Sequence, residues 1–456
     1  MRVQPIDALQ VGLNGTLEIN PRLQVRRNYH ELSYSQKGDP SKVLQYKSLD
    51  LDPDFEFQSS MDRRLSQDMN SVNHNKHSSW VRVAFRYSPI NPADLNAVEG
   101  RYPSPFGSKK KTQILKNLDA SHHDSHDTIP GSEVIGTVTH TFPTEDSNLN
   151  QELKVGDVVI PVYPGMGTWR SSIVLPSEYF LPLSSKLSHD PLLLSTINTN
   201  PCTAYRLLRD FLPSVPKHST KIIQNGGASS VGIALSQLSY HLYKIPCISI
   251  VRQGSRTDSQ FQDLVDYMIN IGKNALVLKE EALIQGGREE IQKALRQIEN
   301  LDVNSRSDTF LEKENEYIEE GDFPTRPILG YNCIGGESLS IMLRLLMPQS
   351  TVVTYGGMSK RPVTIPTGKL IFDQLQFCGY WHSSWLVQHA KSHQRIQMMN
   401  DILDLVQSEH LILGEKRVFS LQEYQKALAW NALSGGDQNH HSIKPKTVLD
   451  CSESCF

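Results

Sequence analysis

The chain has 456 residues and a formal net charge of −3, with 46 Lys and Arg against 49 Asp and Glu. That balance lacks the basic footprint of a nucleic-acid binder, and no apolar run approaches the roughly 18 residues that a membrane-spanning helix needs. The length suits two domains or one elaborated two-lobed enzyme.

Residues 1–30 carry Arg2, Arg22, Arg26 and Arg27 against Asp7 and Glu18. This is the bias of a mitochondrial targeting segment, while Pro5, Pro21 and the lack of serine fit a disordered basic arm equally well. Short strands then dominate. Residues 81–87 alternate in polarity, 133–139 are rich in β-branched residues, 155–160 read as a turn into a strand, and 169–174 as another strand. A largely β first lobe follows from this pattern. Between residues 194 and 381 strands alternate with helices, the mark of a doubly wound parallel sheet. Candidate strands are 221–225, 247–251, 328–334 and 351–355, and a helix is expected over 338–346. A further helix over 395–406 and a last short strand at 447–449 close the chain. The polar stretches 58–79, 104–128 and 300–321 read as surface loops. His122, His123, Asp124, His126 and Asp127 cluster without a partner motif, so a solvated loop is the better reading than a metal site.

The six cysteines are Cys202, Cys247, Cys333, Cys378, Cys451 and Cys455, and no C-x-x-C pair occurs. A structural zinc lobe is therefore not expected, and a reducing compartment fits better than a disulfide scaffold. Cys247, Cys333 and Cys378 lie in apolar runs, where a free thiol is expected to be buried.

The most informative stretch is 221–252. After the first strand comes Gly226-Gly-Ala-Ser-Ser-Val-Gly232, then Val231, Leu235, Leu238 and Leu242 at helical spacing, a second strand, and Arg252 directly behind it. A dinucleotide pyrophosphate is expected at the N-terminus of such a helix. A cation after the second strand accommodates a 2′-phosphate, which points to NADP rather than NAD. Ser229 stands where the middle glycine of G-x-G-x-x-G is usual, so an ordinary βαβ unit without nucleotide stays open at this point.

More specific segments lie around this unit. Ile90-Asn-Pro-Ala-Asp-Leu-Asn96 with Gly100-Arg-Tyr-Pro103, Gly165-Met-Gly-Thr-Trp-Arg170 and Asn200-Pro-Cys-Thr-Ala-Tyr-Arg206 precede or open the second lobe. Asn332-Cys-Ile-Gly-Gly336, Tyr355-Gly-Gly-Met-Ser-Lys360 and Gly379-Tyr-Trp-His-Ser-Ser-Trp385 follow. Their order and spacing resemble the zinc-free mitochondrial trans-2-enoyl-thioester reductases of the medium-chain dehydrogenase/reductase superfamily, over about residues 31–450. The resemblance implies an α/β fold with a GroES-like, mainly β catalytic lobe and a Rossmann cofactor lobe. Residues 31–199 would form the first part of the catalytic domain, 200–380 the NADP-binding domain, and 381–456 the return.

The resemblance also implies roles. Tyr102 would be catalytic; read alone, it is far more readily a packed surface aromatic beside Pro103. Asn200, the turn residues Ala228, Ser229, Ser230 and Val231, and Arg252 would bind NADPH. So would Tyr355, Gly356, Gly357 and Met358, the trio Tyr380, Trp381 and His382, and Lys446. The family continues after this arginine with an acidic and then a basic residue, where this chain has Gln253-Gly254, and Arg256 offers compensation. Gly131-Ser-Glu133 replaces the Gly-His-Glu of zinc-dependent relatives, so no metal is expected. The implied activity is NADPH-dependent reduction of trans-2-enoyl thioesters, carried on acyl carrier protein or CoA, in mitochondrial fatty-acid synthesis. The implied setting is the matrix, and the implied assembly a homodimer. A zinc-free NADPH quinone oxidoreductase, and a catalytically inactive binding protein of the same fold, are the alternatives.

Overall fold

The computed structural model describes residues 10–11, 17–18, 27–51, 79–103, 127–142, 153–183, 190–212, 220–301, 326–432 and 444–452. Most of the 1–30 segment, the cluster from His122 to His126, nearly all of the polar stretches 58–79, 104–128 and 300–321, and Cys455 lie outside the described residues.

The chain enters through two hairpins, β1 (Gln10–Val11) with β2 (Leu17–Glu18) and β3 (Arg27–Ser33) with β4 (Gln45–Leu51). The first lobe is built from β5 (Trp80–Pro89), β6 (Ile135–Phe142), β7 (Val158–Pro161), β8 (Ser172–Pro176) and β9 (Phe180–Pro182). The second holds β10 (Ile222–Asn225), β11 (Cys247–Val251), β12 (Leu276–Lys279), β13 (Leu329–Asn332), β14 (Thr351–Thr354) and β15 (Gln376–Gly379). The chain then returns through β16 (Lys416–Ser420) and β17 (Lys446–Asp450) to the first sheet.

Among the described residues the first sheet runs β16-β17-β5-β6-β7-β9, with β8 also paired to β5. β5 therefore has three neighbours, and its expected half-buried alternation is replaced by burial on both faces. Val81, Val83 and Phe85 face the core, yet Arg82 is buried too and donates to Ser172 Oγ at 3.1 Å. The strand expected at 169 starts only at Ser172. Trp169 and Arg170 are buried in the preceding turn, where the Arg170 guanidinium binds the carbonyls of Gly167 (2.6 Å) and Met166 (3.2 Å).

The second sheet is parallel throughout, in the order β12-β11-β10-β13-β14-β15. It is covered on both faces, as buried parallel sheets are. Ile222, Tyr331 and Val353 face one apolar cluster with Leu235 and Leu238; Ile223, Ile248, Ile250 and Val352 face another with Leu339 and Met342. Among the helices that pack around the two sheets are α1 (Pro92–Val98), α2 (Asn200–Phe211), α3 (Ser230–Tyr243), α4 (Gly336–Leu345), α5 (His382–Gln388) and α6 (His393–Gln407). α6 buries Met398, Met399, Ile402 and Leu403 in the cluster that holds Leu235 and Leu238 beside Ile135 and Ile160, and the chain pairs with the first sheet again at β16. On α3 the expected apolar face holds at Leu235 and Leu238, whereas Leu242 is 37% exposed near the helix end. Cys247 and Cys333 are buried, but Cys378 is exposed because β15 is the sheet's edge and pairs only with β14 among the described residues.

Candidate active site

Open α/β sheets bind ligands at the carboxyl ends of their strands, where the order reverses. Here that point lies between β10 and β13. Three strand ends are pinned together by amide side chains. Asn225 Nδ2 donates to Asn332 Oδ1 (2.8 Å), Asn225 Oδ1 accepts from Cys333 N (2.8 Å), and Asn332 Nδ2 donates to Thr354 Oγ1 (3.1 Å). The glycine turn sits on this frame. Gly226 has φ +64°, and a Cβ there would lie 2.5 Å from Cys333 Sγ; a Cβ on Gly232 would lie 2.6 Å from Gly227 O. Ser229 is the N-cap of α3, with its hydroxyl accepting from Gly232 N at 3.1 Å. The position where a glycine is usual has instead become a helix cap, and the capped helix still presents its remaining N-terminal N–H groups.

A cleft beside this turn is lined by Gly226, Ala228, Ser229, Arg252, Arg256 and Met358, among others. Gly356 packs on Cys333, and Met358 N donates to Cys333 O (2.9 Å), which ties the 355–358 turn to the end of β13. A second cavity behind the same helix end brings together Asn200, Ala228, Ser230, Lys416, Lys444 and Lys446. Asn200 is buried, and its Nδ2 has no hydrogen-bond partner. Burial, reinforced by Lys446, pushes Lys416 and Lys444 down to about 8. Glycines that leave no room for a side chain, an orphaned amide donor and converging cations fit a dinucleotide with its phosphates.

Tyr102 reaches this region from the other lobe. It follows α1, whose N-terminus is fixed by a reciprocal cap between Asn91 and Asp94. Asn91 also ties β17 to the segments before β6 and α2: its Nδ2 donates to Glu133 Oε2 (2.9 Å), its Oδ1 accepts from Lys446 Nζ (2.8 Å), and Glu133 Oε1 accepts from Thr199 N (2.8 Å). Burial raises the Glu133 carboxyl and pushes Asp94 up to about 6. At the far end of the helix, Lys360 Nζ binds Glu99 at 3.1 Å. Tyr102 is thereby held against the carboxyl end of β15. Trp381 Nε1 donates to its hydroxyl oxygen (2.7 Å), Ser383 Oγ lies 3.1 Å from the same oxygen, and the Trp381 ring meets Tyr102 edge-on. Burial raises the phenol's pKa, so at neutral pH it is a proton donor.

Several expected residues face elsewhere. His382 is buried at the lobe junction. Its Nε2 bonds Asn198 O (3.1 Å) and its Nδ1 bonds the Tyr380 hydroxyl (2.9 Å), so neither side chain joins Trp381 at Tyr102. The ring of His382 stacks on Trp385, and Tyr380 packs on Phe211. Val231 and Tyr355 pack against the core of the second lobe. Gly357 has open space around its Cα. Three functional groups escaped sequence reasoning: Ser383, which lies inside a recognised segment without distinction from Ser384, and Lys416 and Lys444, which look like surface lysines.

No protein-family model matches the chain. It is 31% identical over 397 residues to the mitochondrial enoyl-[acyl-carrier-protein] reductase of Bos taurus, covering 87% of this chain and 84% of that protein. Against the enzyme of the same name from Xenopus tropicalis it is 30% identical over 399 residues, covering 87% and 90%. The chain belongs to the mitochondrial enoyl-[acyl-carrier-protein] reductase family. Its fold is also that of the mitochondrial 2-enoyl thioester reductase Etr1p/Etr2p heterodimer from Candida tropicalis, with a TM-score of 0.67 at 23% identity over 93% of this chain and 99% of that one. Membership of this reductase family accords with a two-lobed molecule that closes a tyrosine over the carboxyl end of a parallel sheet.

Proposed function

We propose that this mitochondrial protein reduces trans-2-enoyl thioesters to saturated acyl thioesters with NADPH, the acyl group being carried by acyl carrier protein or CoA. The observation that carries the reading is the hydroxyl of Tyr102, held between Trp381 and Ser383 at the carboxyl end of β15. Bound NADPH supplies the hydride for Cβ of the enoyl group. The chain's own residues manage charge and protons. Tyr102 O–H donates to the thioester carbonyl and stabilises the enolate that develops there. The Trp381 N–H, which can only donate, points at the tyrosine oxygen and strengthens the phenol as a donor. Ser383 exchanges its hydrogen bond when the tyrosine turns to substrate, so a proton can reach Cα through Tyr102 or an ordered water.

The open edge of β15 supports a homodimer in which two such strands pair. Gln376 and Cys378 are exposed along it, and Ile371 and Phe372 beside it are 59% and 80% exposed. Such an edge invites pairing with a second copy.

The test is NADPH oxidation by the purified protein with a medium-chain trans-2-enoyl thioester, beside a quinone acceptor. Turnover of the thioester that collapses in Tyr102→Phe supports the reductase. Turnover of the quinone alone, indifferent to that change, would sink it.

A further inference from the structure

The segment that carries Tyr102 is a compact turn folded back on the end of α1. Gly100 N donates to Ala97 O (3.0 Å), and Arg101 N and Tyr102 N both donate to Asn96 O (2.8 and 3.1 Å). Glu99 opens this turn, so its carboxylate and the Tyr102 ring are carried by one short piece of backbone. A second turn lies across from it, after β14. Met358 N donates to Cys333 O and Ser359 N to Ile334 O (each 2.9 Å), and Lys360 N donates to Gly357 O (3.0 Å). Met358 and Ser359 line the cleft beside the glycine turn. Lys360 has φ +54°, a left-handed conformation that residues other than glycine rarely adopt. Residues held in such conformations cluster at ligand clamps and switch regions.

The two turns meet through charge. Lys360 Nζ donates to Glu99 Oε1 at 3.2 Å and to Oε2 at 3.1 Å, and Arg101 Nε approaches Oε2 at 3.3 Å. The Lys360 side chain is 54% exposed and that of Glu99 21%, so the pair lies at the surface with its carboxylate partly sheltered. It joins the end of α1 in the first lobe to the turn after β14 in the second. Tyr102 makes its own contacts with the second lobe at Trp381 and Ser383, and these are exchanged when the hydroxyl turns to a thioester carbonyl. The Glu99–Lys360 contact takes no part in that exchange.

We propose that Glu99 and Lys360 are positioning residues for the reduction: their ion pair straps the Tyr102 turn to the 357–360 turn and keeps the tyrosine over the cleft while its own hydrogen bonds are exchanged. This rests on the reductase reading above and adds to it two residues outside the reacting groups.

The experiment joins steady-state reduction at saturating NADPH to amide hydrogen exchange, both on the full-length protein, with thermal unfolding as a control for folding. The substrate is a trans-2-enoyl N-acetylcysteamine thioester, which is uncharged, so added salt acts on the protein and not on substrate capture. Lys360→Met and Glu99→Gln are each expected to lower kcat/KM about two- to fivefold, the most that an exposed ion pair commands. The double variant should lose no more than the worse single one, as partners in one interaction do, and Lys360→Arg should stay near the wild type. Raising NaCl from about 0.02 to about 0.5 M should bring the wild type down to the level of the variants and leave the variants in place. Exchange at the Gly100, Arg101 and Tyr102 amides should quicken about two- to fivefold in Lys360→Met at low salt, a readout that needs no turnover. Additive losses, a Lys360→Arg no better than Lys360→Met, or a salt response shared by wild type and Lys360→Met overturns the positioning role. Unchanged exchange overturns the strap itself. Faster exchange in a protein that turns over quinone and no thioester leaves the strap standing and overturns the reductase reading.

Discussion

The glycine turn and the tyrosine pocket are made in opposite ways. The turn is assembled from seven consecutive residues on one strand and one helix, and its demands are steric: Gly226 adopts φ +64° under Cys333, and Gly232 sits against the carbonyl of Gly227. The tyrosine pocket is assembled from two lobes, with Tyr102 bonding partners 279 and 281 residues away. A local site is robust in position and intolerant of bulk. A distributed site tolerates changes of shape in any one member but depends on the network that brings the lobes into register.

The sharpest way to break that contrast is at its chemical centre. Tyr102→Phe removes the one hydroxyl that meets both Trp381 and Ser383. It is expected to lower kcat/KM about 10²- to 10³-fold, the usual effect of deleting a donor to a developing oxyanion. NADPH affinity should stay within about threefold, since the bonds found for this hydroxyl run to Trp381 and Ser383 and not to the phosphate turn. Steady-state kinetics beside cofactor titration checks both numbers; a parallel loss of NADPH binding would show that the two regions are one.

Next in size comes the turn itself. Gly226→Ala places a Cβ 2.5 Å from Cys333 Sγ at a positive φ, and is expected to cost about 1–3 kcal/mol of stability and to weaken NADPH at least about tenfold. Gly357→Ala, in the 355–358 turn, adds a Cβ that meets nothing within 4 Å and should change stability by less than about 0.5 kcal/mol. Urea unfolding of the two variants separates a steric requirement from a merely glycine-rich sequence; equal costs would contradict it.

Ser383→Ala carries a smaller expectation. The hydroxyl is one of two partners of Tyr102, so its loss should slow turnover about 3- to 10-fold, the worth of a single neutral hydrogen bond. Ser384→Ala, one residue on, should not. A larger solvent isotope effect in Ser383→Ala than in the wild type would place this serine on the proton's path, and an unchanged one would leave it a support for the ring.

What was legible in the sequence follows the same division. The parallel sheet, its helices and the glycine turn were visible because their signals are periodic and short-range: Leu235 and Leu238 recur at helical spacing, and Gly226 to Ser229 separate a strand from a helix. Ser229 read as a defect in the glycine pattern, yet it is a cap, since an N-cap serine and a turn glycine occupy neighbouring roles at a helix entry. The tyrosine pocket was visible only through resemblance, because nothing local distinguishes Ser383 from Ser384. Cys378, expected to be buried, was misjudged for a related reason. Whether a strand is central or at an edge is decided by strand order, and strand order is a long-range property.

His382 tests the junction most finely. Its position in a family-like segment pointed to the ligand pocket, yet the ring lies at the lobe junction. The Asn198 carbonyl can only accept, so Nε2 carries the proton and Nδ1 accepts from the Tyr380 hydroxyl. Burial pushes the imidazole down to about 4. In the unfolded chain it takes a proton below roughly 6.5, so the folded state binds fewer protons between those values. Stability that is fully present above pH 6.5 is therefore lost as the pH falls toward 4, by about 2–3 kcal/mol from this residue. His382→Leu removes that titration. The variant should be less stable than the wild type by about 1–2 kcal/mol at pH 7.5, where two polar groups lose their partner, and should match or exceed it at pH 5, where the buried imidazole costs the wild type about 2 kcal/mol. Urea unfolding at the two pH values reads the difference directly. Parallel losses in both proteins would place the acid sensitivity in a group other than His382, and not in Glu133 or Asp94, whose raised pKa values favour the folded state as the pH falls.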